Sequence, residues 1–273
     1  MNQVIRIHWQ SSTEIERFPA YMQAIQSHAR ERCAAGTTVS LGGVAGATGR
    51  LHYKAFDFLN NRGLFESAMR AERDGCDAVA IGCFLDPVLD ELKEALDIPV
   101  LGMAETAMHL ACTLGRRFAV LSHNAALNTK FHADLIAKYG VERHAGPLVS
   151  FDLPFPEMEA ALTGKAGPCL ARIERAGREA VALGAEVIVL GCGLMNLVAI
   201  RNGMTEIDGA PVLDVSGALL KATESMVVLR RTSGLRVSRK GYYERPSAQE
   251  VESVARAYGL ELDPVERIAA AKR

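Results

Sequence analysis

The sequence predicts an α/β protein of two similar halves, each built on a parallel sheet. Three observations carry this. Short, near-continuous apolar runs recur along the chain, as in strands buried on both faces. Helical stretches separate them, which joins the strands by right-handed crossovers into parallel sheets. Finally, "GCDAVAIGC" (75–83) returns as "GAEVIVLGC" (184–192), and "IPVLGMAETAM" (98–108) returns in the same order as "APVLDVSGAL" (210–219). Chance could repeat an apolar strand and a glycine in any doubly wound sheet. A cysteine at the same point argues instead for a pseudo-twofold relation, with a site between halves that each supply the same element. The division is then 1–106, completed by the C-terminal helices and tail 217–273, and 107–216.

The elements follow in order. "VIRIHW" (4–9) reads as a strand, and 14–33 as a helix bent or started near Pro19. Residues 37–44 are a second strand, and the Gly-rich 42–56 a loop. Helix 64–75 ends at Gly75, a suitable C-cap. Strand 77–82 leads to helix 87–96, with Pro87 in its first turn. Strand 98–103 and helix 105–115 complete the half. The pattern restarts with strand 117–122 and helix 124–140, then a strand and loop within 144–155. Helix 169–184, strand 185–191, a helical "MNLVAIRNGM", strand 210–216 and a helix over 217–231 follow. Residues 233–246 are polar, basic and turn-rich. Ser247 and Glu250 form a capping box that opens a helix over 247–259. This tail either forms a subunit contact or packs back over the first half.

Bulk properties narrow the function. The chain has 273 residues, 49% of them hydrophobic, enough for a real core. A formal net charge of −1 gives no electrostatic pull towards nucleic acid or anionic lipid. No apolar run approaches the roughly 20 residues that span a bilayer. "MNQVIRIHWQSS" is not a signal peptide. The six cysteines include no CxxC pair, so free thiols in a reducing cytoplasm are expected. The histidines show no metal-ligand spacing, and "GGVAGATG" is not a dinucleotide fingerprint. The expected partner is a small-molecule substrate, with neither metal nor cofactor.

Cys83 and Cys192 each end a strand before a helix start, where sites of open α/β sheets lie. A helix N-terminus lowers a thiol's pKa, so one can be thiolate and the other thiol. Facing one carbon from opposite sides, they form a base and an acid: one removes a proton and the other returns one, inverting the centre. The carbanion needs donors aimed at its developing oxyanion. The turns after the cysteines, at Phe84 and Gly193, can supply N–H groups. "QSST", with Gln10, Ser11 and Ser12, and "SHN", with Ser122 and His123, occupy equivalent anion-binding positions after the first strand of each half. Cys33, Cys76, Cys112 and Cys169 read as small buried hydrophobes.

The segments 75–122 and 184–197 resemble the hydantoin racemase branch of the aspartate/glutamate racemase superfamily, in order and spacing over about 1–220. The resemblance implies two flavodoxin-like domains, an active site in the cleft between them, and cofactor-independent two-base racemisation by Cys83 and Cys192. It also implies a homo-oligomer. There are departures. Many relatives open with Asn-Pro-Asn-Ser/Thr where this chain has "HWQSST", with Trp9 and Gln10. Glutamate racemases carry a histidine two residues after the second cysteine, where this chain has Leu194. That speaks against a free acidic amino acid; the resemblance implies a hydantoin or an amino-acid derivative as substrate, with 5-substituted hydantoins the first class to try.

Other residues are weighed beside these. Glu105 either orients a site group or is a helix-start carboxylate. His123 either touches substrate or is a solvated loop residue. Arg50, His52 and Tyr53 read as surface loop rather than as a closing segment, and Asp86 as an N-cap-like acid rather than a catalyst. Three alternatives stay open: an arylmalonate-type decarboxylase, which leaves Cys83 unexplained, a maleate-type cis–trans isomerase, and a non-catalytic small-molecule binding protein, which needs no matched thiols.

Overall fold

A computed structural model of the chain describes residues 4–47 and 50–257. The first half runs β1 (Ile5–Gln10), α1 (Pro19–Arg32), β2 (Thr37–Gly42), α2 (Lys54–Arg73), β3 (Ala78–Ile81), α3 (Leu89–Ala95), β4 (Val100–Gly102) and α4 (Met103–Leu114). The second begins with β5 (Phe118–Ser122), α5 (Ala125–Leu127), a π-helical turn (Asn128–His132) and α6 (Ala133–Lys138). It continues through β6 (Ala145–Ser150), α7 (Phe155–Ala161), α8 (Gly167–Ala182), β7 (Val187–Leu190), α9 (Gly193–Arg201), β8 (Glu206–Ile207) and β9 (Ala210–Leu213). α10 (Val215–Ser233) and α11 (Ala248–Ala257) follow.

Two sheets form, as the alternation predicts. The first has the order β2-β1-β3-β4 and is parallel throughout. The second has the order β6-β5-β7-β9-β8, parallel except for the edge strand β8. The central strands β3 ("AVAI"), β5 ("FAVLS") and β7 ("VIVL") are buried at every residue, which is why they read as unbroken apolar runs.

The two halves share a register. In the first, Gln10 pairs with Ile81, and Gly82 N–H donates to Gln10 O at 2.8 Å. In the second, Leu121 pairs with Leu190, and Gly191 N–H donates to Leu121 O at 2.8 Å. Cys83 and Cys192 therefore leave equivalent strands at equivalent points, and Ser11 and Ser12 correspond to Ser122 and His123.

One core joins the halves. Ile7, Trp9 and Ala80 of the first sheet, α1 and α4 share a cluster with β5, β7, α8 and α9. A second cluster fills the other face of the first sheet under α2 and α3. α10 packs on α4, α1 and the first sheet. The segment after it returns over the first half, one of the two placements expected of the tail. Arg239 donates to the carbonyls of Lys93, Glu94 and Leu96, and Arg245 to those of Glu94 and Ala95. These groups satisfy the orphan carbonyls at the C-terminal end of α3. The Ser247–Glu250 capping box forms as predicted. The end of the expected 247–259 helix and the rest of the tail lie outside the described residues.

Some boundaries differ from expectation. α2 starts at Lys54, ten residues early. Asn60, Asn61 and Gly63 are poor helix formers, and Phe58 and Leu59 face solvent, so no apolar period marks this part. What holds it is tertiary: Asn60 is buried and donates to Ser12 O at 3.2 Å. The predicted helix 124–140 contains the π-helical turn, within which His132 is fully buried and bonded to Asn128 Oδ1 at 2.8 Å. The sequence does not predict α7 or β8; both are too short for a periodic signal.

Asp214 binds three helices at once. His28 Nε2 lies 2.9 Å from it and Arg32 Nε 3.2 Å, both on α1. Asn196 Nδ2 on α9 donates at 3.0 Å, and Gly217 N–H in the first turn of α10 at 3.0 Å. Burial alone would raise this carboxyl; the bonds from His28, Asn196 and Gly217 and the His28 charge overcome it and hold the group well below its ordinary value. Asp214→Ala should cost about 3–5 kcal/mol in denaturant titration, because His28, 1% exposed, loses its partner. The wild-type contribution is present above pH 3.8 and is lost as pH falls below it. The stability difference between the two proteins should therefore shrink in acid.

Candidate active site

The ends of β3 and β7 open on one cleft between the two sheets, of about 650 Å³ with its solvent-filled mouth included. Both cysteines line it. Each follows a glycine that permits close packing beneath it. A methyl on Gly82 would sit 2.1 Å from Trp9 Nε1, and one on Gly191 would sit 2.7 Å from His132 Cε1. The two "Gly-Cys" pairs are thus steric requirements as well as strand ends.

The backbone after Cys83 is strained. Asp86 and Val88 have φ of 45° and 50°, the left-handed region, which a β-branched residue rarely adopts. The Asp86 carboxylate offsets this. It accepts Ala104 N–H at 2.9 Å and Glu105 N–H at 2.7 Å, which caps α4, and Tyr139 Oη–H at 2.6 Å. Burial pushes its carboxyl up to about 6, with those donors pulling it back. Asp86 is therefore a capping acid, as expected, but for α4 rather than for the helix it precedes. It fixes the turn that aims Cys83.

The thiols depart from expectation in one respect. Their positions before helix starts predict a lowered pKa. Burial dominates instead and pushes Cys83 up to about 12 and Cys192 up to about 11. Both are thiols at neutral pH. Local donors favour each thiolate once it forms. The N–H groups of Met195 and Leu194 do so for Cys192, and the Ser12 hydroxyl and Leu85 N–H for Cys83. Ser12 Oγ is buried, with no partner in hydrogen-bond geometry, so it remains available in the cleft.

Of the residues read from sequence, the cleft gathers Ser11, Ser12, Cys83, Phe84, His123, Cys192 and Gly193. Gln10, Ser122 and Glu105 do not line it. Gln10 is fully buried behind the wall, with Nε2 donating to Ser11 O at 2.9 Å and Oε1 3.1 Å from His8. The Ser122 hydroxyl turns back to Asn124 O at 2.9 Å. Glu105 pairs with Lys93. His123 is no solvated loop residue: burial pushes it down to about 4, so it is neutral.

Two groups line the cleft that the sequence reading does not place there. His52 reads as surface loop, yet with Leu51 it lines the cleft. Lys130, from the π-helical turn, donates to His52 O at 3.3 Å and lies over the Tyr53 ring, which ties that segment to the opposite half. Tyr21 of α1 also lines the cleft, and a tyrosine in an ordinary helix looks like any core residue. The remaining wall includes Leu127, Phe155 and Leu194. Among the described lining residues none is Asp, Glu, Lys or Arg. Among the described residues no group of acids, histidines and cysteines could hold a metal, and no helix is long and apolar enough to cross a membrane.

The chain matches known proteins in sequence and in fold. The model of the Asp/Glu/Hydantoin racemase family matches residues 18–223. A hydantoin racemase of Paenarthrobacter aurescens is 33% identical over 195 residues, 68% of this chain and 75% of that one. One from Rhizobium meliloti is 33% identical over 165 residues, 60% of this chain and 66% of that one. Among solved structures, an allantoin racemase from Klebsiella pneumoniae superposes with a TM-score of 0.77 at 26% identity, covering 89% of this chain and 94% of that one.

Buried, protonated thiols should alkylate slowly. At pH 7, iodoacetamide should label Cys192 roughly 10-fold or more slower than a free cysteine, because the lost thiolate fraction outweighs the gain in nucleophilicity. The rate should rise with each pH step towards about 11. Peptide mass spectrometry over a time course reads this. Fast labelling at pH 7 would show a thiolate already present.

Proposed function

The chain belongs to the Asp/Glu/hydantoin racemase family and is a racemase, and we propose that it inverts a carbon-bound proton centre next to a carbonyl in an uncharged cyclic amide. The substrate class is the 5-substituted hydantoins. Cys83 and Cys192 are the acid/base pair, and the protein's own thiols suffice without a cofactor. The single observation that carries this is the meeting of the two register-matched thiols in one cleft that, among the described residues, no charged side chain lines.

The absence of lining charge bears on the substrate. A free amino acid would bring a carboxylate and an ammonium into a cleft whose described walls offer neither a cation nor an anion, and burying unpaired charge is costly. A hydantoin brings neutral N–H and C=O groups, which suit hydroxyls, backbone N–H groups and the neutral His123. Leu51, Leu127 and Phe155 offer its substituent an apolar wall.

Once one cysteine has released its proton to water, the steps balance within the pair. One cysteine, as thiolate, takes the proton from the stereogenic carbon and becomes a thiol. The C–H electrons move into the carbon–carbon bond to the carbonyl, giving an enolate. The other cysteine, as thiol, gives its proton to the opposite face and becomes a thiolate. The product is the mirror centre, with the two sulfurs exchanged in state and ready for the reverse passage. The cost of forming one thiolate in a buried site is reduced by the donors at Leu194 and Met195 or at Ser12 and Leu85. A pair that must stay reduced suits the cytosol.

Incubation with single enantiomers of 5-substituted hydantoins in D₂O should show loss of the C5 proton signal by NMR, in step with loss of optical rotation. Folded protein that exchanges no such proton would sink the substrate class. Cys83→Ser and Cys192→Ser should each lower racemisation at least about 10³-fold, since a serine hydroxyl cannot replace a thiol as acid or base at these pH values. Full activity in either variant would sink the two-base mechanism.

A further inference from the structure

Tyr21 lines the cleft with both cysteines, and the two-base mechanism leaves it unused. It sits in the first turn of α1, where Glu159 of α7 accepts its N–H at 3.1 Å and that of Ala20 at 2.8 Å. A carboxylate from the second half thus fixes this helix start at the cleft. The side chain is 3% exposed. Its Oη lies 2.8 Å from where a Cβ of residue 193 would stand, so only glycine at 193 admits it. Burial, with Cys192 and Cys83 acting on the phenol electrostatically, holds it protonated well above its ordinary value. The residue borders the cleft, where a ligand can meet its hydroxyl.

We propose that Tyr21 donates its hydroxyl hydrogen bond to the substrate carbonyl oxygen beside the inverting carbon, where the enolate charge develops. A donor that lines the same cleft as both thiols and stands over Gly193 can meet that oxygen. The hydroxyl keeps its proton throughout, so the proton balance of the cysteine pair is unchanged. It also breaks the pseudo-twofold. In the other half, the helix after β5 presents Leu127 to the cleft, an apolar residue. The carbonyl edge of the substrate then turns towards α1 and its substituent towards Leu127 and Phe155. One orientation serves both enantiomers, because the thiols approach from the two faces.

This inference rests on the racemase reading above, and one experiment separates the two. Wild type and Tyr21→Phe are compared for exchange and rotation with each enantiomer of a 5-benzyl hydantoin. The variant loses one oxygen and keeps the ring packing, so its melting temperature should be unchanged or higher. We expect kcat to fall about 10²-fold in both directions with KM little changed, the signature of a donor used in the transition state. A variant within a few-fold of wild type in kcat would overturn the role of Tyr21 and leave the two-base mechanism standing. Wild type that exchanges no hydantoin proton would overturn the substrate reading, and this role with it.

Discussion

The Asp214 clasp holds the cleft together. Parallel sheets alone would place two strand ends somewhere near each other, but the site needs three separate helices in one relation. α1 carries Tyr21, α9 begins directly after Cys192, and α10 packs the first sheet. One carboxylate at the end of β9 takes a donor from each. Its charge is largely buried, so each donor that leaves exposes the ion to the penalty of being unpaired, and the arrangement is close to all-or-none. Asp86 plays the matching part in the first half, where it holds the start of α4 and the turn after Cys83. The two acids come from different places in the repeated segments, yet they cap corresponding helices, α4 after β4 and α10 after β9. The symmetry of the halves thus extends to the helix starts that each sheet supports, while the chain reaches them by different routes.

Burial sets the chemistry of the thiols. Helix N-termini favour thiolates, and the local N–H groups here do so, but desolvation is the larger effect and keeps both sulfurs protonated. In the proposed pair one sulfur must first ionise, and the local N–H groups lower the cost of that step. A permanently ionised sulfur would be a poor acid on the return passage. Two thiols of similar, raised pKa exchange roles at little cost, since neither state is favoured much over its mirror.

The surroundings of that pair are not symmetric. Ser12 and His123 occupy equivalent positions after β1 and β5, yet one offers a hydroxyl and the other a neutral ring. Tyr21 faces one wall of the cleft, and Leu127 lines it from the other half. In the proposed reaction the symmetric thiols serve both faces of one carbon, and the asymmetric walls orient the rest of the substrate.

Local pattern alone specifies the sheets and the thiols. Unbroken apolar runs such as "VIVL" specify strands buried on both faces, and the repeated Gly-Cys at their ends specifies a pair of equivalent positions. Both are readable without knowing what packs where. Packing decides the rest. His52 reaches the cleft because Lys130 of the other half holds its segment, and Tyr21 because Glu159 anchors its helix. Gln10 and Glu105, in promising positions by sequence, are turned to His8 and Ser11 and to Lys93. The direction of the thiol pKa shifts depends on burial in the same way. Position along the chain shows which helix start a sulfur precedes. Only the packed structure shows how little water is left around it, and at both sulfurs that loss of water outweighs the pull of the helix start.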